Sequence, residues 1–265
     1  MTVTVPWAHE AFGSGPVLVL GTSYLWDARM WQPQIEALAA RWRIIVPLLP
    51  GHGNDVPLHA HPATPAELAR QVGSLLDSLG VERFALAGLS VGGMWAAELA
   101  LQRPHQVGPL LLMDTSLAAE PAPSLARYTA LLDALEHAGA FPPALIEQVV
   151  PLFFRPGLAP EDPLRRAFSE QLAHWPAARI DAVVALGRLI FGRPERLQAL
   201  RALDPARTWV AAGAHDVPRP PHEAVAMAEV IGCRCELIPD AGHIASLENP
   251  VAVTALLRAW LDETG

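Results

Sequence analysis

The sequence predicts an α/β fold, a mostly parallel sheet with helices on both faces. Six short apolar runs, at residues 17–20, 44–48, 84–87, 110–113, 209–212 and 235–238, read as buried strands, and segments of helical spacing separate most of them. Strands alternating with helices of that length need crossover connections, which make the sheet parallel. Such a sheet carries its chemistry at the carboxyl ends of its strands. With 265 residues, 51% apolar and 17% charged, the chain can bury one large core and is too apolar to be disordered.

The first helix with clear signals follows the second run. Thr64 reads as an N-cap, Pro65 fits the first helical position, and Glu67 stands three residues after the cap. Leu68, Val72, Leu75, Leu76 and Leu79 recur on one face until Gly80 closes the segment. Residues 91–103 have helical composition directly after the third run. Near the end, Asn249-Pro250 opens a helix with Val253, Leu256, Leu257, Trp260 and Leu261 on one side. Between about 117 and 194 no strand is legible, only helical patches at 130–137, 145–150 and 181–190. This segment is expected to be a helical cap inserted into a core of residues 1–116 and 195–265 and lying over the strand ends.

Charge and composition exclude several classes. All nineteen basic residues are arginine, so neither a Schiff-base lysine nor a phosphate-loop lysine exists. A formal charge of −8 without a basic run argues against nucleic acid as partner. The apolar runs are too short to span a bilayer. Met1–Pro6 has neither a basic leader nor an apolar signal core, which predicts a cytoplasmic protein. Cys233 and Cys235 read as small buried hydrophobes on one face of a strand in a reducing compartment, and two thiols alone make no zinc site.

Gly88-Leu89-Ser90-Val91-Gly92 carries the first chemical signal. Random placement of nineteen glycines and nine serines gives Gly-x-Ser-x-Gly roughly 0.05 times in this chain, so context must decide. The serine stands where a strand turns directly into a helix. That turn lifts the Ser90 hydroxyl clear of the sheet and aims the Val91 amide at an incoming carbonyl oxygen. A serine hydroxyl needs a base, and two further strand ends supply the partners: Asp216 in Gly213-Ala214-His215-Asp216, and His243 in Asp240-Ala241-Gly242-His243. Asp114, ending the run at 110–113, competes with Asp216 as the acid. Asp240 reads as a turn residue, His215 as exposed, and His52 as structural in its glycine-flanked turn.

With these motifs, and with Leu49-Pro50-Gly51-His52-Gly53 and the segment from Ala241 to Pro250, the chain resembles the α/β-hydrolase superfamily. Met30-Trp31-Gln32-Pro33-Gln34 and the histidine segment make it similar to β-ketoadipate enol-lactone hydrolases and related small carboxylesterases. The resemblance implies an α/β-hydrolase fold with the cap after the sixth strand of that fold, and ester or lactone hydrolysis through an acyl-enzyme on Ser90, with no cofactor and no metal. It also implies an oxyanion hole from the Val91 and Tyr24 amides. Thr22-Ser23 stands where the superfamily usually has His-Gly, and Leu48 replaces the usual aspartate before Leu-Pro-Gly-His-Gly. Cofactor-free perhydrolysis on the same residues and a non-catalytic ligand-binding role stand as alternatives. Tyr128, Phe141, Phe153, Phe154, Trp175 and Phe191 of the inserted segment are candidates to line a pocket. Arg155 and Arg193 read as solvated surface arginines.

Overall fold

Backbone amides in an apolar interior need partners, and the short apolar runs find them in one another. The structure, a computed structural model, describes residues 7–53 and 62–264; the leader reading of Met1–Pro6 lies outside them. The chain runs through β1 (His9–Phe12), β2 (Val17–Gly21), α1 (Gln32–Leu38), β3 (Arg43–Pro47), α2 (Pro65–Ser78), β4 (Phe84–Leu89) and α3 (Val91–Gln102). It continues through β5 (Val107–Met113), α4 (Ala122–Ala138), α5 (Pro143–Val149), α6 (Pro163–Ala173) and α7 (Ile180–Phe191). The last part holds β6 (Thr208–Gly213), α8 (Pro221–Ile231), β7 (Arg234–Ile238), α9 (Ala245–Glu248) and α10 (Pro250–Thr264).

Seven strands form one sheet in the order β1-β3-β2-β4-β5-β6-β7. All neighbours are parallel except β1, which runs antiparallel to β3 at the edge. The six expected strands are all present, each within a few residues of its reading. β1 is the addition: His-Glu-Ala-Phe shows no apolar run because an edge strand leaves much of its surface to water.

Caps and turns follow the local chemistry. The Thr64 hydroxyl accepts the Glu67 amide at 3.2 Å, and Gly80 takes φ +67 just beyond the end of α2. The Asn249 side chain accepts the Ala252 amide at 3.2 Å at the start of α10, whose five expected core residues are all buried. Helix α3 is apolar nearly all round and accordingly lies buried, packed on β2, β4, β5 and α2. Between β5 and β6 the described residues form only helices and turns, α4–α7 among them; α6 was not legible, since Arg165-Arg166 and Glu170 break its apolar pattern. The insertion point is the fifth strand of this chain, in the place that the resemblance counts as sixth. None of the helices among the described residues is long and apolar enough to cross a membrane.

Candidate active site

The turn between β4 and α3 sets the position of Ser90. Its backbone stands at φ 60 and ψ −123, a conformation that side chains rarely adopt. Neighbouring hydrogen bonds hold it there: the Ser90 amide donates to the Met113 carbonyl at 2.9 Å, and its carbonyl accepts from the Thr115 hydroxyl at 2.7 Å. The turn requires glycine nearby, because a Cβ on Gly92 would stand 2.5 Å from the Gly21 carbonyl group and one on Gly88 would collide with Gly92.

His243 and Asp216 reach the same rim from the ends of β7 and β6. The His243 Nε2 lies 3.0 Å from the Ser90 Oγ, and its Nδ1 lies 2.8 Å from the Asp216 Oδ2. An ionised carboxylate only accepts, so Nδ1 carries the proton and Nε2 is the free base facing the hydroxyl. The other Asp216 oxygen accepts the Arg219 amide at 3.0 Å. Burial pushes His243 down to about 4, only partly opposed by the nearby acidic groups. At neutral pH the imidazole is therefore uncharged and competent to take a proton.

Asp114, the competing acid, is fully buried beside this group, with its Oδ1 accepting the Gly213 amide at 2.6 Å. Its carboxyl is not the one on His243. His215 is exposed, Asp240 sits in a turn at φ 52, and His52 is buried. The His52 Nδ1 donates to the Pro50 carbonyl at 2.7 Å, leaving Nε2 to accept the Leu25 amide at 2.8 Å. Burial pushes this histidine, too, down to about 4. It pins the loop after β2, where Leu25 adopts φ 66.

That loop holds the Tyr24 amide. The amides on either side are engaged, Ser23 with the Met30 sulfur at 3.1 Å and Leu25 with His52, while the Gly92 amide beside Val91 donates to the Thr22 carbonyl at 3.1 Å. Among the described residues the amides of Tyr24 and Val91 find no acceptor.

Ser90 and His243 open into a cavity of about 720 Å³, including its mouth. The walls are apolar and come largely from α4, α5 and α7, with Leu131, Leu132, Leu135, Leu145 and Ile190 among them. Of the expected aromatic candidates, Tyr128, Phe141, Phe153 and Phe191 line it. Phe154 and Trp175 do not: Phe154 packs against Trp26 and Phe168, which Phe153 also touches, and Trp175 packs against His52 and Phe141. Arg193 differs from its surface reading: it is buried and paired with Glu120 at 2.7 Å. Arg155 pairs with the buried Glu248 at 3.3 Å. The sequence reading missed Arg219, which lines the cavity and is paired with Glu120 at 2.6 Å and Glu223 at 3.3 Å. Its place three residues after Asp216, between two prolines, is the one signal that marks it.

Main-chain contacts tie the inserted helices to the histidine loop. The Ile244 amide donates to the Phe153 carbonyl at 3.0 Å, and Glu248 accepts the amides of Arg155 at 3.0 Å and Gly242 at 2.7 Å. The two cysteines are free and half-buried, Cys233 just before β7 and Cys235 within it. Burial raises the Cys233 thiol to about 11, which removes it as a nucleophile at neutral pH.

This strand order and this strand–serine–helix turn define the α/β-hydrolase architecture. Residues 15–250 match the family model of the alpha/beta hydrolase fold, and the chain belongs to that family. RutD of Azorhizobium caulinodans, which bears a carbamate-hydrolase name, is 35% identical over 121 residues, 42% of this chain. The match spans less than half of that relative, 44% of its length. A thermophilic esterase from Thermogutta terrifontis superposes with a TM-score of 0.83 at 27% identity, covering 96% of this chain and 92% of the other. The enol-lactonase from Burkholderia xenovorans shares the fold, with a TM-score of 0.82 at 23% identity over 97% and 96% of the two chains.

Proposed function

We propose that this hydrolase cleaves small or medium apolar carboxylic esters or lactones through an acyl-enzyme on Ser90. The observation that carries the reading is His243, hydrogen-bonded to Ser90 on one side and Asp216 on the other at the floor of an apolar cavity. His243 takes the Ser90 proton as the oxygen attacks the carbonyl carbon, and Asp216 orients the imidazole and balances its charge. The amides of Tyr24 and Val91 receive the oxyanion; losing one such donor raises the barrier by about 3–4 kcal/mol. The imidazolium then gives its proton to the departing alcohol oxygen. Water, deprotonated by the same histidine, releases the acid and restores Ser90.

In this reading residues 117–194 are a lid over the core formed by 1–116 and 195–265, and they select the substrate. The cavity walls support an uncharged substrate. Among the described residues that line it, Arg219 is the one arginine, and its charge is already met by Glu120 and Glu223. A carboxylate entering there would lose its hydration and gain no free cation. The thermophilic esterase, 27% identical over 96% of this chain, supports an ester substrate.

The test is turnover of p-nitrophenyl acetate and of matched neutral and carboxylate-bearing esters and lactones, ranked by kcat/KM, for wild type and Ser90→Ala. Equal rates for both proteins would remove the catalytic role of Ser90. A preference for the carboxylate-bearing members would remove the neutral-substrate reading.

A further inference from the structure

Asp114 is a buried carboxyl beside the site that the proposed mechanism leaves without a task. It follows β5 directly in a left-handed conformation, φ 46, which aspartate adopts more readily than most side chains. Its amide donates to the Ala211 carbonyl at 2.9 Å and its Oδ1 accepts the Gly213 amide at 2.6 Å, so its side chain extends the β5–β6 ladder one step past the strand. The other oxygen, Oδ2, is buried and accepts no hydrogen bond. The carboxyls of Asp114 and Asp216 are close enough to act on each other as a pair.

Two adjacent carboxylates, 0% and 4% exposed, cannot both hold a charge without water to screen them. The donors decide which one is ionised. Asp216 faces the Nδ1–H of His243, the amide of Arg219 and the Arg219 guanidinium charge; Asp114 receives one amide. The charge belongs on Asp216 and the proton on Asp114. We infer that Asp114 is held as a neutral carboxylic acid whose Oδ2–H donates to Asp216, making it a positioning residue behind the histidine. The otherwise unpaired Oδ2 then becomes a donor, and the Asp216 carboxylate gains a third hydrogen bond beside those from His243 and the Arg219 amide. Burial raises both carboxyls well above the usual carboxylate range. On Asp114 the charge of Asp216 adds to the rise and the His243 ring opposes it; on Asp216 the Arg219 amide, the Asp114 carboxyl and the Arg219 charge oppose it and Glu223 adds to it.

This inference rests on Asp216 being the acid that orients His243, and the test separates the two. Asparagine at 114 keeps a donor toward Asp216 and an acceptor for Gly213; alanine removes both. Asp114→Ala is expected to lower kcat for p-nitrophenyl acetate about tenfold to a hundredfold with KM little changed, and Asp114→Asn is expected to restore it to within about threefold of wild type. Difference infrared spectra of wild type minus Asp114→Asn at pH 8 should show a protonated carboxyl C=O band that shifts in D₂O. Absence of that band, or an asparagine variant as impaired as the alanine one, overturns the inference. The reading beneath it fails separately, if Asp216→Asn stays active while Asp114→Asn is dead. Should Asp114→Ala not fold, the asparagine variant and the spectrum still decide.

Discussion

The Nε2 of His243 stands 3.0 Å from the Oγ of Ser90, across 153 residues of chain. No local interaction could impose that distance; it is set by β4 and β7 ending on the same rim of one sheet. The pair should therefore behave as a unit. Ser90→Ala and His243→Ala are each expected to lower kcat/KM for p-nitrophenyl acetate by about 10⁴-fold or more, and the double variant by little beyond that. Thermal denaturation run beside the assay should show both single variants folded.

The burial of His243 sets the acid limit of activity. Its uncharged form is the base, and burial holds its proton affinity down near 4. As pH falls, the competent form persists below 6.5 and is lost only as pH passes through about 4. A kcat/KM profile for a substrate without titrating groups should stay level down to about pH 5. A half-point near 6.5 would contradict the burial of this ring in the free enzyme.

His52 should matter to both stability and turnover. His52→Leu strands the buried Leu25 amide and the Pro50 carbonyl, an expected loss of about 2–4 kcal/mol by urea unfolding. Because it loosens the loop that carries the Tyr24 amide, kcat should also fall at least about tenfold. The sign of the pH effect follows from burial: His52 titrates near 4 in the fold and near 6.5 unfolded. Its contribution is present above pH 6.5 and is lost as pH falls toward 4, so the gap between wild type and variant should narrow over that window.

Gly92→Ala tests the turn itself. Its Cβ would press within 2.5 Å of backbone atoms of Gly21, which cannot swing aside as a side chain could. The expected outcome is a drop in stability above about 3 kcal/mol, or failure to accumulate as soluble protein. An active, stable variant would mean that β2 and α3 are less tightly apposed than described here.

Leu131, on the cavity wall contributed by α4, offers a handle on substrate size. Leu131→Trp should shift the acetate-to-octanoate ratio of kcat/KM at least about tenfold toward acetate, measured with the p-nitrophenyl esters.

The convergence of the candidate residues was more legible in the sequence than the pocket. Ser90, Asp216 and His243 each follow an apolar run and a turn, so local pattern alone assigns them to strand ends, and the parallel topology then gathers those ends. β1 escaped because an edge strand need not be apolar, and α6 because its charged face interrupts the pattern. Phe153 and Phe154 show the limit of such reading: adjacent aromatics that both pack on Trp26 and Phe168, of which Phe153 also lines the cavity and Phe154 does not. Which neighbour points inward depends on how the inserted helices dock, and no periodicity encodes that. Asp114 was visible as a competitor for Asp216, but its proximity to that carboxyl depends on the pairing of β5 with β6.

The hydrogen bonds from Ile244 to Phe153 and from Glu248 to Arg155 and Gly242 fasten one end of the inserted helices to the loop that presents the imidazole. A displacement of residues 153–155 would therefore be transmitted to the His243 ring, so the junction couples the placement of the inserted segment to that of the imidazole. Tyr128 of α4, stacked on Phe191 of α7 at 4.1 Å between ring centroids, walls the same cavity from the inserted helices. A change in how those helices dock would thus alter the shape of the cavity and the position of the ring together.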